Sequence, residues 1–277
     1  MENAPLPTIG ELLAEAGIDP FEARLLLAYA LDLTRVQLVT RSRDTPNADQ
    51  AQAVRELFAR RRAGEPVAYL TGFRDFHQLR LRVTPDVLIP RPETELLVDI
   101  ASERLADGAR DVLDLGTGSG AIAIALARLH PQARICAVDA SEAALAIARD
   151  NASANQTEVE FLHGDWYSPL AGRRFDLIVS NPPYIRANDP HLEQGDLRFE
   201  PALALTDNQD GLAALRAIVA GAPAHLHHDG WLLMEHGYDQ AAEVRSMLTQ
   251  AGFVEVASRT DLAGIERVSG GRLPTRS

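Results

Sequence analysis

The sequence has a single cysteine, Cys136, in 277 residues, which excludes an internal disulfide. It sits in the apolar run Arg134-Ile-Cys-Ala-Val138, where a cysteine reads as a small buried hydrophobe. No apolar run approaches the roughly 20 residues of a membrane-spanning helix. The N-terminus, MENAPLPTIG, lacks the basic start and apolar stretch of a signal peptide. A soluble chain in a reducing compartment follows, most simply the cytoplasm. Basic residues are also scarce: 27 Lys and Arg stand against 39 Asp and Glu, a formal charge of −12. That sign argues against broad binding to nucleic acid, which relies on neutralising phosphates. Hydrophobic residues, at 46%, suffice for a substantial core.

The first third reads as helices. Thr8-Ile-Gly-Glu11 is a capping-box pattern before Leu12 and Leu13, and Gly17 ends that helix. Asp19-Pro20 supplies an N-cap and a first-turn proline for the apolar run Phe21 to Leu31. A third helix is expected over 47–63, with Val54, Leu57 and Phe58 at helical spacing, stopped by Gly64-Glu65-Pro66. Then the period changes. Leu79, Leu81 and Val83 alternate with Gln78, Arg80 and Arg82, as in a half-exposed strand. Thr84-Pro85-Asp86 is turn chemistry, and Val87-Leu88-Ile89 is expected as the return strand of a hairpin.

From residue 92 helices and strands alternate. Strands are expected at 111–115, 134–138, 158–162, 175–180 and 231–235, with helices at 93–106, 120–129, 141–153, 209–224 and 238–250. Strands at 253–258 and 265–269 follow with no helix between them. Alternation implies a mostly parallel sheet covered by helices; the helix-free pair implies an antiparallel hairpin at one edge. The expected organisation is a helical N-terminal domain (1–74), a β-hairpin linker (75–91) and a Rossmann-like α/β domain (92–277).

Asp114-Leu-Gly-Thr-Gly-Ser-Gly120 lies between an apolar strand and a helix. Gly116, Gly118 and Gly120 permit close backbone approach to a ligand, and the helix start beyond offers unpaired N–H groups. A dinucleotide fingerprint spaces its glycines Gly-x-Gly-x-x-Gly. Here they run Gly-x-Gly-x-Gly behind an acidic residue, which suits a ligand without a pyrophosphate, such as S-adenosylmethionine. Asp139 ends the next strand, where a carboxylate can accept from both ribose hydroxyls of an adenosine; the blander reading is a helix N-terminal acid stabilised by the dipole. Asn181-Pro182-Pro183-Tyr184 follows the strand 175–180, at the carboxyl edge where open α/β sheets bind ligands. Two prolines fix two φ angles and remove two donors, leaving a stiff, acceptor-rich loop. The Asn181 side-chain oxygen and the Pro182 carbonyl can accept from one NH2 group, and Tyr184 can stack on a flat amide or base. Trp166 can pack on adenine or be a half-buried loop residue. Arg60-Arg61-Arg62 reads as a solvated helix end rather than a docking patch. His225, His227 and His228 read as surface loop rather than a metal site, and no metal site is expected.

Together these motifs resemble the protein-(glutamine-N5) methyltransferases that modify peptide-chain release factors, the HemK/PrmC family. Glu65-Pro-Val-Ala-Tyr-Leu-Thr-Gly72, Leu88-Ile-Pro-Arg-Pro-Glu-Thr-Glu95, Leu197-Arg-Phe-Glu-Pro-Ala202 and Glu235-His-Gly237 carry the resemblance further. It implies an S-adenosylmethionine-dependent enzyme whose substrate is the glutamine of the Gly-Gly-Gln loop of class 1 release factors. It implies cofactor contacts from Gly116, Thr117, Gly118, Ser119, Gly120, Asp139, Trp166 and Asn181. It also implies catalysis by Asn181, Pro182 and Tyr184, with substrate contacts from Asn181, Pro182, Pro183 and Tyr184, and a helical domain that grips the release factor. The Asn-Pro-Pro-Tyr motif alone is shared with adenine-N6 nucleic-acid methyltransferases, and a sister family modifies a ribosomal-protein glutamine. The acidic charge and absence of a further recognition domain oppose the first. A non-catalytic adaptor is opposed by the two intact motifs.

Overall fold

A computed structural model describes residues 5–275. The first four residues of the N-terminal stretch and the last two of the chain lie outside it. The chain divides into two units. One runs to Phe73 and takes in Gln194–Phe199; the other comprises Arg74–Glu193 and Glu200 onward.

In the helical unit, α1 (Ile9–Ala14) starts with the expected reciprocal box: Thr8 Oγ1 accepts from the Glu11 N–H, and Glu11 accepts from the Thr8 N–H at 2.7 Å. Such a cap is worth about 1 kcal/mol. The helix α2 (Pro20–Leu31) has Asp19 as N-cap and proline in its first turn. Two short helices escaped the periodicity, α3 (Arg35–Thr40) and α5 (Val67–Thr71). Between them runs α4 (Ala48–Arg62), capped by Asn47. Ile9, Leu12, Leu26, Leu27, Leu38, Val54, Phe58 and Leu70 form the unit's core.

The arginine run ending α4 is solvated at Arg60 and Arg62, as expected of a helix end, but not at the half-buried Arg61. Arg61 forks onto Glu22 of α2, with both bonds at 2.8 Å, and reaches Asp196 at 2.9 Å. Arg62 donates to the Ala16 carbonyl at 2.7 Å, and Arg60 pairs with Glu65. The Arg61–Asp196 bond and Arg198, which donates to the Ala63 carbonyl at 2.7 Å, fasten Gln194–Phe199 to the helices despite the sequence separation. A paired, half-buried guanidinium saturates donors that a helix dipole alone would leave to water.

A hairpin follows, β1 (Phe73–Phe76) and β2 (Leu79–Arg82). The alternation is as expected, with Leu79 and Leu81 buried. Its pairing is not. The partner of β2 precedes it, across a turn at His77 and Gln78, whose φ angles of 45° and 64° are those of a tight two-residue hairpin turn. Val87-Leu88-Ile89 forms no strand; the Ile89 N–H donates to Glu200 Oε2 at 3.0 Å, and Pro90 offers no donor to a ladder.

A short 3-10 turn, Pro92–Thr94, leads into α6 (Glu95–Ala106). Then follow β3 (Asp111–Leu115), α7 (Ala121–Leu129), β4 (Arg134–Asp139), α8 (Glu142–Ala154), β5 (Glu160–His163) and β6 (Phe175–Ser180). After α9 (Ala202–Leu205) come α10 (Ala213–His225), β7 (Leu226–Glu235), α11 (Ala241–Gln250), β8 (Val254–Thr260) and β9 (Glu266–Arg272). The seven strands lie in the order β5-β4-β3-β6-β7-β9-β8. Strands β3 to β7 run parallel; β9 is antiparallel to both neighbours, giving the expected edge hairpin. Apolar clusters on the two faces of the sheet, around Leu97, Ile124 and Leu177 and around Leu113, Ile178 and Leu232, explain why the strands read as continuous apolar runs. Cys136 lies within the second cluster, and burial pushes its thiol up to about 12. The histidines are not loop residues. His225 ends α10 and stacks on Tyr167 at 4.7 Å, while His227 and His228 begin β7.

Candidate cofactor and amide site

The strand order reverses at β3, whose neighbours are β4 and β6. The loops leaving the carboxyl ends of these strands therefore diverge, and a crevice opens between them. A cavity of about 700 Å³ occupies it. Gly116 and Gly118 from the β3 loop, Asp139 ending β4, Trp166 beyond β5, and Asn181 and Pro183 beyond β6 all lie on its wall. Val87, Leu88 and Leu203 add apolar surface.

The glycine loop is held from below. The N–H groups of Gly116 and Thr117 donate to the Val138 carbonyl at 2.9 and 3.1 Å. Thr117 Oγ1 donates to Asp114 Oδ2 at 2.6 Å, and the Ser119 carbonyl accepts from Asn151 Nδ2 at 2.9 Å. Thr117, Ser119 and Gly120 are buried and do not line the cavity. Gly120 caps α7 at φ 83°, and a Cβ there would stand 2.7 Å from Ile124 Cδ1. At Gly118, φ 55°, a Cβ would meet nothing within 4 Å, so the loop backbone borders open space.

Two carboxyls frame the loop. Asp114 is fully buried, and burial pushes it up to about 7, against the Thr117 hydroxyl. Its Oδ1 has no partner among the described residues. Asp139 is also raised by burial, opposed by backbone N–H groups. Its Oδ2 accepts from the Gly118 N–H and its Oδ1 from the Ser141 N–H, both at 2.8 Å. Each carboxylate oxygen retains a further lone pair.

At the other wall, Asn181 Nδ2 donates to Thr94 Oγ1 at 3.1 Å. This orients the amide and leaves Oδ1 as the acceptor. Pro182 is buried and Tyr184 half-buried, both off the cavity wall. The Tyr184 hydroxyl donates to Glu235 Oε1 at 3.1 Å. Glu235 ends β7, and Met234 is in register with Ser180, so the carboxyl stands beside the Asn-Pro-Pro-Tyr loop. Burial pushes it up to about 7, while the hydroxyls of Thr94 and Tyr184 favour its ionised form.

The same sequence matches the family described as PrmC N-terminal domain over residues 8–72, and that described as Methyltransferase small domain over residues 92–196. It is 54% identical over 276 residues to a release factor glutamine methyltransferase of Burkholderia pseudomallei, covering 96% of each chain. It is 54% identical over 265 residues to the Bordetella pertussis protein of the same name, covering 95% of this chain and 98% of that one. The chain belongs to the release factor glutamine methyltransferase family. Its fold is shared with a methyltransferase from Pyrococcus furiosus, at a TM-score of 0.55 and 16% identity over 78% of this chain and 98% of that one.

Three residues with no role assigned from sequence now have one in the architecture. Glu200 accepts from the Ile89 N–H and pairs with Arg91, fixing the segment that carries Val87 and Leu88. Thr94 orients Asn181, and Glu235 anchors Tyr184. All three lie in stretches that carry the family resemblance. The pattern marked the stretches; only tertiary contact separates an orienting hydroxyl from an ordinary helix-start threonine.

Proposed function

We propose that this chain transfers the methyl group of S-adenosylmethionine to the side-chain amide nitrogen of the glutamine in the Gly-Gly-Gln loop of class 1 release factors, in the cytoplasm. The observation carrying the reading is the orientation of Asn181. Its NH2 donates to Thr94, which leaves its oxygen to accept from a substrate.

The cavity fits the cofactor. Asp139 keeps lone pairs for ribose hydroxyls, Gly116 and Gly118 give backbone access, and Trp166 with Val87 and Leu88 forms an apolar wall for a purine. When bound, S-adenosylmethionine supplies an electrophilic methyl on a cationic sulfur. The chain's part is to present the nucleophile. An amide nitrogen is planar and weakly nucleophilic. Asn181 Oδ1 and the Pro182 carbonyl would each accept one of its N–H bonds, keeping electron density on nitrogen and the substrate NH2 in place. The two prolines hold these acceptors without reorganisation. No strong base is required, because the nitrogen proton becomes acidic once the methyl has transferred. The helical unit would bind the folded release factor, so remote contacts position the Gly-Gly-Gln loop.

The test is label transfer from methyl-labelled S-adenosylmethionine to a release factor, a ribosomal protein or DNA, with the product mapped by mass spectrometry. Label on the Gly-Gly-Gln glutamine alone is expected. Label on DNA or the ribosomal protein instead would replace this substrate assignment.

A further inference from the structure

The proposed amide chemistry depends on which way round the Asn181 side chain lies. Asparagine's two ends are nearly isosteric, so a half-turn would put an NH2 where the substrate amide needs an oxygen. A hydroxyl partner does not by itself prevent this, because a hydroxyl both donates and accepts. Thr94 could hold either end of Asn181, unless its own proton is committed elsewhere.

Glu235 is the group to which that proton can be committed. It is 1% exposed, and its Oε1 accepts from Tyr184. Its Oε2 is buried without a hydrogen-bond partner among the described residues. The Thr94 hydroxyl favours the carboxylate form, and Thr94 is itself buried, with Oγ1 accepting from Asn181. We infer that Glu235 is a positioning residue which draws the Thr94 hydroxyl proton to itself, leaves that oxygen only an acceptor's role toward Asn181, and so keeps the Asn181 oxygen turned to the substrate. The same carboxylate fixes Tyr184, so both ends of the Asn-Pro-Pro-Tyr loop depend on one buried acceptor. A carboxylate is the only side chain of this shape that accepts from two hydroxyls at once; glutamine accepts from one and must donate to the other.

This inference rests on Asn181 being the amide acceptor, so the experiment includes Asn181→Ala beside wild type. Steady-state methylation of a release factor is measured for Glu235→Gln, Thr94→Val, Thr94→Ser and the Glu235→Gln/Thr94→Val pair, with S-adenosylhomocysteine affinity by calorimetry. Glu235→Gln and Thr94→Val should each lower kcat about tenfold, the worth of one directed hydrogen bond. KM for the release factor and cofactor affinity should stay within about twofold, because those contacts are made elsewhere. Thr94→Ser keeps the hydroxyl and should retain wild-type kcat. The double variant should be no slower than the slower single variant, as residues acting through one another are non-additive. Wild-type kcat in Glu235→Gln, multiplied losses in the double variant, or losses in KM or cofactor affinity alone would overturn the inference. If Asn181→Ala is also fully active, the amide-acceptor reading falls with it. If Asn181→Ala is impaired while Glu235→Gln and Thr94→Val are not, only the orienting role fails.

Discussion

Replacing Asp114 with asparagine should change how the fold responds to pH. In the unfolded chain this carboxyl ionises near 3.8; in the fold, burial keeps its proton on up to about 7, opposed by the Thr117 hydroxyl and reinforced by the negative charge of Asp139. Between those values the folded state binds the additional proton. The stability from this group is therefore full below pH 3.8, declines as the pH rises, and is gone above about 7. At about 1.36 kcal/mol per pH unit, the gap corresponds to at most about 4 kcal/mol. Asparagine has the shape of the protonated acid and no charge to bury, so its stability carries no such loss. Urea unfolding at pH 4 and pH 8 measures the difference between wild type and Asp114→Asn at each pH; contributions from other titrating groups largely cancel. Trp166 and Trp231 are the chain's two tryptophans, and both lie in the sheet unit, so fluorescence follows the relevant transition. The variant should gain on wild type by several kcal/mol between pH 4 and pH 8. A difference that stays constant within about 1 kcal/mol would refute the reasoning, because an exposed or fully solvated carboxylate gives that result.

Three further outcomes are expected. Gly120→Ala places a Cβ 2.7 Å from Ile124 Cδ1 and 3.2 Å from Ala148 Cβ at φ 83°; it should destabilise the fold by about 2 kcal/mol or more, and an unchanged melting temperature would mean that the cap relaxes freely. Asp139→Ala should weaken S-adenosylhomocysteine binding by about 1–3 kcal/mol through unpaired ribose hydroxyls; an unchanged Kd in calorimetry would move the ribose contact elsewhere. Methylation of an intact release factor should exceed that of a short Gly-Gly-Gln peptide in kcat/KM, because the helical unit can grip only the former; equal values would remove the helical unit from recognition.

The sheet was legible because its strands are apolar runs and its helices carry caps that the sequence spells out, such as Ser141 before α8. What escaped detection was short or defined by tertiary contact. The helix α3 has its own box, Thr34 with Gln37, but six residues give the period little room. The first arm of the hairpin is not legible in the sequence because its turn, His77-Gln78, carries none of the Gly, Asn or Asp signals of a left-handed turn. The strand β7 begins at Leu226, five residues before its apolar run, because its polar start shares the backbone pairing of Phe175 with Leu226. At the site, spacing marks the glycine loop, Asp139 and the Asn-Pro-Pro-Tyr motif as candidates, and Gly116, Gly118, Asp139, Asn181 and Pro183 line one cavity. Spacing does not mark Thr94, Glu200 and Glu235, because a buried carboxyl and the hydroxyl beside it come together only when β7, the Asn-Pro-Pro-Tyr loop and the start of α6 meet.

The claim that Asn181 accepts a hydrogen bond from the substrate amide is tested by single-turnover methyl transfer to a release factor at saturating cofactor, comparing wild type, Asn181→Ala and Asn181→Asp. Alanine removes the acceptor and leaves the Pro182 carbonyl alone, which should cost roughly 10²–10³ in rate, or about 2.7–4 kcal/mol. Aspartate keeps an oxygen but loses the NH2 that Thr94 holds, and its charge would pair with the cationic sulfur; it should fall below wild type yet exceed alanine by about tenfold. A wild-type rate for Asn181→Ala would contradict the account outright. Equal losses in the two variants would show that the Asn181–Thr94 bond, rather than the Asn181 oxygen, governs the reaction.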